Sequence, residues 1–270
     1  MLALALSVAL PPTGRAGAAP STPEGARRDP ARGAVKGRVV AFPFEDERWL
    51  APGQTHGGSA WVAEGAKGAV PLVVVLHGVN DQRRLHPLLD GEDDVRPTVD
   101  ALVASGSVTP LVVAAPTHAQ NAAFAEVVLP GFDLDAFVDA TSAALAPTDA
   151  RVDRARVVVV GHSGGACNPT GGLLAVAKRR GAVVPLALVE SDGCVDSYVA
   201  DALKQAPGET RVMAFWQTWM WPRRFDTFRQ LMAARPSVVL EEVRVPRDVT
   251  AHDRALDAAL ARALPQLLPR

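Results

Sequence analysis

Apolar runs that alternate with helical patterns constrain the fold of this 270-residue chain more than any other feature. Val70–Leu76 (VPLVVVL) is a continuous apolar run, which is typical of a strand buried on both faces of a parallel sheet. Segments with apolar residues spaced three and four positions apart follow such runs, as amphipathic helices require. The alternation predicts an α/β domain with a mostly parallel central sheet and helices on both faces.

The predicted elements fill residues 34–270, which fit one domain. We predict strands at Val35–Phe42, Ser59–Ala63, Val70–Leu76, Leu111–Ala115, Arg156–Val160, Val183–Val189, Arg211–Trp216 and Val238–Val245. We predict helices at Val95–Ser105, Phe132–Leu145, Ala166–Arg180, Val195–Lys204, Phe225–Ala233 and Ala251–Leu268. No helical pattern separates the first two strands, so we expect them to form an antiparallel edge of the sheet.

The N-terminal segment resembles an export signal. Leu2–Leu10 is an apolar run of signal-peptide length, too short to span a bilayer, and Ala16–Pro20 resembles a cleavage site. The basic residues that usually precede such a run are missing. We expect residues 1–33 to be an export signal and a disordered leader, and the protein to be periplasmic or secreted. The protein would be cytoplasmic if the run is not a signal.

The charge balance argues against a polyanionic partner. The formal net charge is −1, and the basic residues are scattered along the chain. Nucleic acid and anionic membrane surfaces attract proteins with strong positive patches. We therefore expect a small-molecule or polymer-derived substrate rather than nucleic acid, and no integral membrane segment once the signal is removed. The acidic segment His86–Asp94 lacks metal-ligand spacing, and we predict no metal site.

A serine fenced by glycines follows one of the buried strands. Gly161–Gly165 reads GHSGG and lies between the strand Arg156–Val160 and a predicted helix. A strand, the pattern G-x-S-x-G and a helix together form a nucleophile elbow, a turn that holds the serine in a strained backbone conformation. Residues two before and two after the serine then crowd each other, so side chains must be absent there. Ser163 is the predicted nucleophile.

With this motif the chain resembles the α/β-hydrolase family over about residues 35–270. A second motif supports the resemblance: Val73–Val79 reads VVVLHGV, and in the family a strand ending in His-Gly precedes the loop that supplies an oxyanion donor. The resemblance implies that the backbone N–H groups of Val79 and Gly164 hold the oxyanion. His77 is expected to order the loop rather than to perform acid–base chemistry.

A serine hydroxyl needs a base, and the chain order of the family selects one histidine. The order is serine, acid, histidine, and His252 is the only histidine after Ser163. His252 lies where the loop after the last predicted strand meets the start of the last predicted helix, and there the fold delivers its base. We therefore predict that His252 is the catalytic base.

The acid departs from the usual family pattern. Most members carry it after the second-to-last strand, but no carboxylate precedes Asp226 in that region of this chain. Some members place the acid one strand earlier, where Asp192 follows the strand Val183–Val189. We predict Asp192 as the acid, with Asp226 and Asp248 as alternatives.

Three tryptophans lie within six residues near the end of one strand. Trp216, Trp219 and Trp221 are predicted to form an apolar wall of the substrate pocket, although we expect one of them to pack in the core. Such a wall favours a hydrophobic or aromatic acyl group, or the face of a sugar.

The chain has two cysteines, Cys167 and Cys194. An even number of cysteines favours a disulfide in an exported protein. Two buried free thiols are the alternative if the protein is cytoplasmic.

The combined motifs predict a serine esterase that cleaves a carboxylic ester through an acyl-enzyme, without a cofactor. A peptidase, an amidase or an acyltransferase would use the same residues. A noncatalytic hydrolase-fold protein that binds a partner is a further alternative.

Overall fold

The computed structural model describes residues 35–44, 46, 49, 53, 57–80, 89, 94–119, 127–220 and 225–270. The predicted export signal and leader at residues 1–33 lie outside these residues, and so does Trp221.

Eight strands of the described chain form one mixed sheet in the order β1-β2-β4-β3-β5-β6-β7-β8. The strands are β1 Gly37–Phe42, β2 Gly58–Ala63, β3 Gly68–Leu76, β4 Val112–Pro116, β5 Ala150–His162, β6 Ala187–Ser191, β7 Arg211–Trp216 and β8 Val238–Glu242. β1 pairs with β2, and β2 with β4, in antiparallel orientation, whereas β3 to β8 are parallel. The predicted antiparallel edge and mostly parallel sheet are confirmed.

Helices cover both faces of the sheet, as predicted. They are α1 Arg96–Ala104, α2 Leu134–Ala144, α3 Gly172–Lys178, α4 Ser197–Lys204, α5 Phe225–Met232 and α6 Ala251–Leu267. One core lies between the sheet and α2 to α5 and contains Phe137 and Phe228. The other lies under α1 and α6 and contains Val99 and Leu260. None of the helices in the described ranges is both long and apolar enough to cross a membrane.

The predicted helix Ala166–Arg180 is wrong in its first half. The chain forms a 3₁₀ turn at Ser163–Ala166 and an irregular loop before α3 begins. Pro169 has no N–H and disfavours a helical backbone at the residue before it. The side chain of that residue, Asn168, donates from Nδ2 to the carbonyl oxygen of Val128 at 2.7 Å. This hydrogen bond to a neighbouring loop thus takes the place of the hydrogen bonds of the expected helical turns.

β6 lies further along the chain than the predicted strand Val183–Val189. The N–H of Val183 donates to Asp135 Oδ1 at 2.7 Å, which ties this residue to α2 instead of to the sheet. Pro185 follows and cannot donate to a strand ladder. β6 therefore starts at Ala187 and continues to Ser191.

The carboxyl ends of neighbouring parallel strands meet at one edge of the sheet. β3, β5, β6 and β7 are adjacent, and the residues that follow them are His77, Ser163, Asp192 and Gln217. Ligands of open α/β sheets bind at this edge, so the topology brings these four residues towards one site.

Candidate active site

Ser163 occupies a sharp turn in which glycines are sterically required. Its φ is 51°, a left-handed conformation that costs a non-glycine residue about 1–3 kcal/mol. A Cβ added to Gly161 would lie 2.8 Å from the Cβ of Leu173, and one added to Gly165 would lie 2.5 Å from the carbonyl oxygen of Leu76. The strained turn and its crowded glycines form the elbow geometry expected from the sequence.

The segment after β3 lies directly against Ser163. A Cβ added to Gly78 would lie 2.9 Å from Ser163 Oγ and 3.2 Å from the backbone nitrogen of Gly164. The two backbone segments that carry the predicted oxyanion donors, at Val79 and Gly164, therefore run side by side next to the serine. Only a glycine at position 78 leaves room for this approach.

His77 holds that segment in place. Its Nδ1–H donates to the carbonyl oxygen of Gly78 at 2.8 Å, and its Nε2 accepts the N–H of His118 at 2.8 Å. Burial, aided by the charge of His118 and opposed by the Gly78 hydrogen bond, lowers the pKa of His77 to about 4. Both ring nitrogens of the neutral ring are occupied, so the geometry is that of a loop-ordering residue.

His252 and Asp192 form a short hydrogen bond. The Nδ1–H of His252, in the first turn of α6, donates to Asp192 Oδ2 at 2.6 Å. Asp192 follows β6 directly with a φ of 46°, and its side chain is 1% exposed. Burial raises the pKa of Asp192, but hydrogen bonds and charge from His252 and hydrogen bonds from Gln217 outweigh it, and the pKa is lowered from its ordinary value. The carboxylate is therefore ionised at neutral pH.

The other two candidates for the acid, Asp226 and Asp248, interact with other residues. Asp226, in the first turn of α5, is 90% exposed and pairs with Arg229 at 3.2 Å. Asp248 Oδ1 accepts both the N–H and the hydroxyl of Thr250, at 2.8 and 2.6 Å. Of the three candidates named from the sequence, Asp192 is the one hydrogen-bonded to His252.

His162 packs against the ring of His252, a contact that the sequence did not lead us to predict. The rings of His162 and His252 are 4.4 Å apart between centroids, and His162 Nδ1 donates to the carbonyl oxygen of Ser191 at 3.0 Å. Burial, then the charge of His252, lowers the pKa of His162 to about 3, so the ring is neutral at neutral pH. The alternation of side chains along β5 could have predicted this contact, because it places His162 on the face of the sheet that α6 covers.

The contact between the two histidine rings also locates His252 relative to Ser163. His162 is covalently adjacent to Ser163, so a ring in contact with His162 lies beside the elbow. The site thus combines a strained serine, a histidine whose Nδ1–H is held by a buried carboxylate, and two backbone segments with N–H groups nearby. Such an arrangement can perform base-assisted nucleophilic attack. Among the described residues no cluster of histidine, cysteine and acidic side chains could hold a metal ion.

Cys167 and Cys194 bring the elbow and the acid loop together. Their sulfur atoms are 2.17 Å apart and their Cα atoms 5.2 Å apart, within the Cα range of a disulfide. The Tyr198 hydroxyl donates to the carbonyl oxygen of Cys167 at 2.8 Å. Cys167 lies four residues after Ser163, and Cys194 lies two residues after Asp192. The link between the cysteines therefore joins the segment that carries Ser163 to the segment that carries Asp192.

The three tryptophans occupy different environments. Trp216 is 1% exposed and stacks on Phe225 with ring centroids 4.2 Å apart, and the Arg229 guanidinium lies 5.0 Å from the centroid of its ring. This is the environment of a core residue, and it gives no support to a pocket-wall role for Trp216. Trp219 is 44% exposed in the loop after β7, where a substrate could reach it.

Comparison with known proteins identifies the fold. No family model matches the chain, and no curated protein matches it in sequence. Among solved structures, a mutant feruloyl esterase module from Clostridium thermocellum complexed with sinapinate superimposes with a TM-score of 0.61 at 11% identity, over 86% of this chain and 88% of that one. A ferulic acid esterase gives 0.60 at 13% identity, over 87% and 99%. An enterobactin esterase from Shigella flexneri, crystallised in the presence of enterobactin, gives 0.56 at 17% identity, over 86% of this chain and 58% of that one.

Proposed function

The chain has the α/β-hydrolase fold, and on that premise we propose that it is a serine esterase that hydrolyses carboxylic esters through an acyl-enzyme. The observation that carries the proposal is the 2.6 Å hydrogen bond between His252 and Asp192, made by a ring that packs against the residue before Ser163. A structural histidine needs no buried, ionised carboxylate, whereas a catalytic base needs one to fix its tautomer and to stabilise its charged form.

The proposed reaction begins with proton transfer to His252. Because Asp192 accepts the Nδ1–H, the lone pair of the neutral ring is on Nε2, and this atom takes the proton of Ser163 Oγ as the oxygen attacks the ester carbonyl carbon. The carbonyl oxygen becomes an oxyanion, for which we propose the N–H groups of Val79 and Gly164 as donors. Losing one such donor typically costs about 10²–10³ in rate.

The second half of the proposed reaction releases both products. The tetrahedral intermediate collapses, the C–O bond to the alcohol breaks, and the alcohol leaves with the proton held by His252. Water then attacks the acyl-enzyme carbonyl, His252 takes the water proton, and collapse frees the acid and restores the Ser163 hydroxyl. The net reaction converts one ester and one water into one alcohol and one acid, and it needs no cofactor.

We further propose an ester with an aromatic ring as the substrate class. Trp219 is an exposed aromatic residue whose backbone is linked through Gln217 to Asp192, and aromatic rings pack favourably against each other. Sinapinate, in the complex of the structurally similar feruloyl esterase module, and 2,3-dihydroxy-N-benzoyl-serine, present with an enterobactin esterase, both carry such a ring. These ligands belong to those proteins, and here they only narrow the choice of test compounds.

Export is part of the proposal. The apolar run Leu2–Leu10 and the bonding distance between Cys167 and Cys194 both suit an oxidising compartment. The catalytic domain would then comprise residues 34–270.

A panel of methyl esters tests the function and the substrate class together. We expect methyl cinnamates to give higher kcat/KM than methyl alkanoates of similar size, and a fluorophosphonate to label the wild type but not Ser163→Ala. The matched anilides should be poor substrates if the enzyme is an esterase rather than an amidase. A wild-type protein that neither labels nor turns over any ester would overturn the proposal in favour of a noncatalytic binding protein.

A further inference from the structure

Gln217 occupies the position where most proteins of this fold carry the catalytic acid. It is the first residue after β7, which is the second-to-last strand of the sheet. Its side chain is buried, with 1% of the residue exposed. A buried amide needs partners for its oxygen and its NH₂ group, and those partners define its role.

The donor side of Gln217 holds Asp192. Its Nε2–H donates to Asp192 Oδ2 at 3.0 Å, and its backbone N–H donates to Asp192 Oδ1 at 3.2 Å. Oδ2 also accepts the Nδ1–H of His252. Three donors, two of them from Gln217, therefore set the position and plane of the carboxylate that faces the base.

The acceptor side of Gln217 holds the turn after β7. Its Oε1 accepts the backbone N–H groups of Trp219 and Met220, at 2.8 and 2.9 Å. A flipped amide would direct its NH₂ group at two N–H donors and its oxygen at a carboxylate, so only one orientation of the amide satisfies all partners. The side chain is thus a fixed bridge between Asp192 and the turn that presents Trp219.

We propose that Gln217 is a positioning residue that acts through Asp192 and couples the catalytic acid to the Trp219 turn. This inference rests on the proposed function, because it assigns Asp192 the role of the acid. Gln217 touches neither the serine nor the base in any described hydrogen bond. Its effect on catalysis passes through the carboxylate, and its effect on substrate binding passes through residues 218–220.

Several ionisable groups surround the His252–Asp192 pair. His162, the last residue of β5, and His77, directly after β3, are neutral at neutral pH, with pKa values lowered to about 3 and about 4. Glu190 on β6 accepts the N–H of Gly193 at 2.5 Å, and Glu242 at the end of β8 accepts the Thr218 hydroxyl at 2.7 Å. A new charge at position 217 would lie closest to Asp192 itself.

Two substitutions separate the two sides of the bridge. Gln217→Glu is nearly isosteric and keeps an oxygen for Trp219 and Met220, but its carboxyl can donate to Asp192 only while it is protonated, and two carboxylates there disfavour each other's ionisation. Gln217→Met removes both the donor and the acceptor. Gln205→Glu is the matched control, because Gln205 is exposed and its Nε2 donates to a backbone carbonyl oxygen far from the site.

The expected kinetics follow from the hydrogen bonds. Losing a hydrogen bond to a charged group should lower kcat by roughly 10-fold to 100-fold in Gln217→Met. Gln217→Glu should keep much of the wild-type kcat while its carboxyl is protonated and donates to Asp192, and it should lose kcat as the pH rises and that carboxyl ionises, with KM for an aryl ester close to that of the wild type. In Gln217→Met, KM should rise as well, because the Trp219 turn loses its acceptor. Gln205→Glu should retain the wild-type profile.

The inference is overturned if Gln217→Met, folded by circular dichroism, keeps the wild-type kcat and KM while Ser163→Ala is inactive. That outcome leaves the esterase function intact, so the two proposals fail separately. The far-downfield NMR resonance of the His252 Nδ1–H provides a readout that needs no turnover. Its chemical shift should change in Gln217→Met but not in Gln205→Glu, and an unchanged shift in Gln217→Met overturns the inference even in a protein without measurable ester hydrolysis.

Discussion

Replacing Asp192 by asparagine should cripple turnover while leaving the fold in place. The carboxylate receives three donors: His252 Nδ1 and Gln217 Nε2 on Oδ2, and the Gln217 N–H on Oδ1. Asparagine has only one oxygen. It can accept the donors at one of the two oxygen positions of Asp192, and its NH₂ group then faces the donors at the other position.

Both orientations of the asparagine amide are costly. With its oxygen towards His252, its NH₂ group meets the backbone N–H of Gln217, and an unsatisfied buried donor costs about 1–3 kcal/mol. With its oxygen towards that N–H, its NH₂ group donates to Nδ1 and forces the proton of His252 onto Nε2. The ring then cannot accept the serine proton. In either orientation the imidazolium loses its counter-charge.

We expect kcat to fall by as much as ~10⁴, as for an asparagine in other catalytic triads, which corresponds to about 5.4 kcal/mol of transition-state stabilisation. The assay is hydrolysis of a methyl cinnamate, with the rate of fluorophosphonate labelling as a second readout. Asp226→Asn and Asp248→Asn are the matched controls, and they should change kcat little because neither carboxylate contacts the base in the described hydrogen bonds. A kcat of Asp192→Asn within roughly tenfold of the wild type, or a larger loss in Asp226→Asn, would refute the reasoning.

Three further predictions concern the oxyanion segment, the buried histidines and the cysteines. Gly78→Ala should lower kcat by roughly 10²–10³, because its Cβ would lie 2.9 Å from the nucleophilic oxygen; a wild-type kcat in the folded variant would contradict the proposed position of the donors. The unfolded chain takes up protons below its histidine pKa of 6.5, whereas folded His77 and His162 do so only near about 4 and about 3. The free energy of unfolding in urea should therefore fall as the pH drops below this value, by about 1.4 kcal/mol per pH unit for each histidine. The dependence should be shallower in His162→Gln, and an equal slope would count against a neutral buried ring. Mass spectrometry of unreduced protein should find Cys167 and Cys194 bridged, with reduction costing roughly 3–4 kcal/mol of stability, whereas two freely alkylated thiols would reject the bridge.

Strands buried on both faces were the most predictable part of the fold. β7 has the predicted bounds, Arg211–Trp216, and β3 extends the prediction by only two residues, to Gly68. These runs are continuous apolar segments bounded by polar or turn residues, so the local sequence contains nearly all the information. The elbow was predictable for a different reason: the pattern G-x-S-x-G after a buried strand is itself a local sequence motif, although its glycines are required by contacts with Leu173 and with Leu76 of β3.

Elements whose hydrogen bonds go to distant residues could not be read from local patterns. The apolar spacing after Ala166 is helical, yet Asn168 is bound to the carbonyl oxygen of Val128 and Pro169 removes an N–H. Val183 is apolar and buried, yet Asp135 of α2 accepts its N–H. In both cases a residue about 40 to 48 positions away decides the local structure, and no window of sequence contains that competition.

Asp192, the proposed acid, shows how the residues at the ends of two neighbouring strands, β6 and β7, constrain each other. The sequence after β7 offers an amide where a carboxylate is usual, and its meaning depends on the residue after β6. With Asp192 directly after β6 and bound to His252, a carboxylate at position 217 would place a second negative charge against the first, and like charges disfavour ionisation of both. An apolar side chain would leave the buried carboxylate short of a donor. A glutamine supplies a donor for Asp192 and an acceptor for Trp219 and Met220 from one neutral group, so a neutral amide after β7 suits a buried carboxylate after β6.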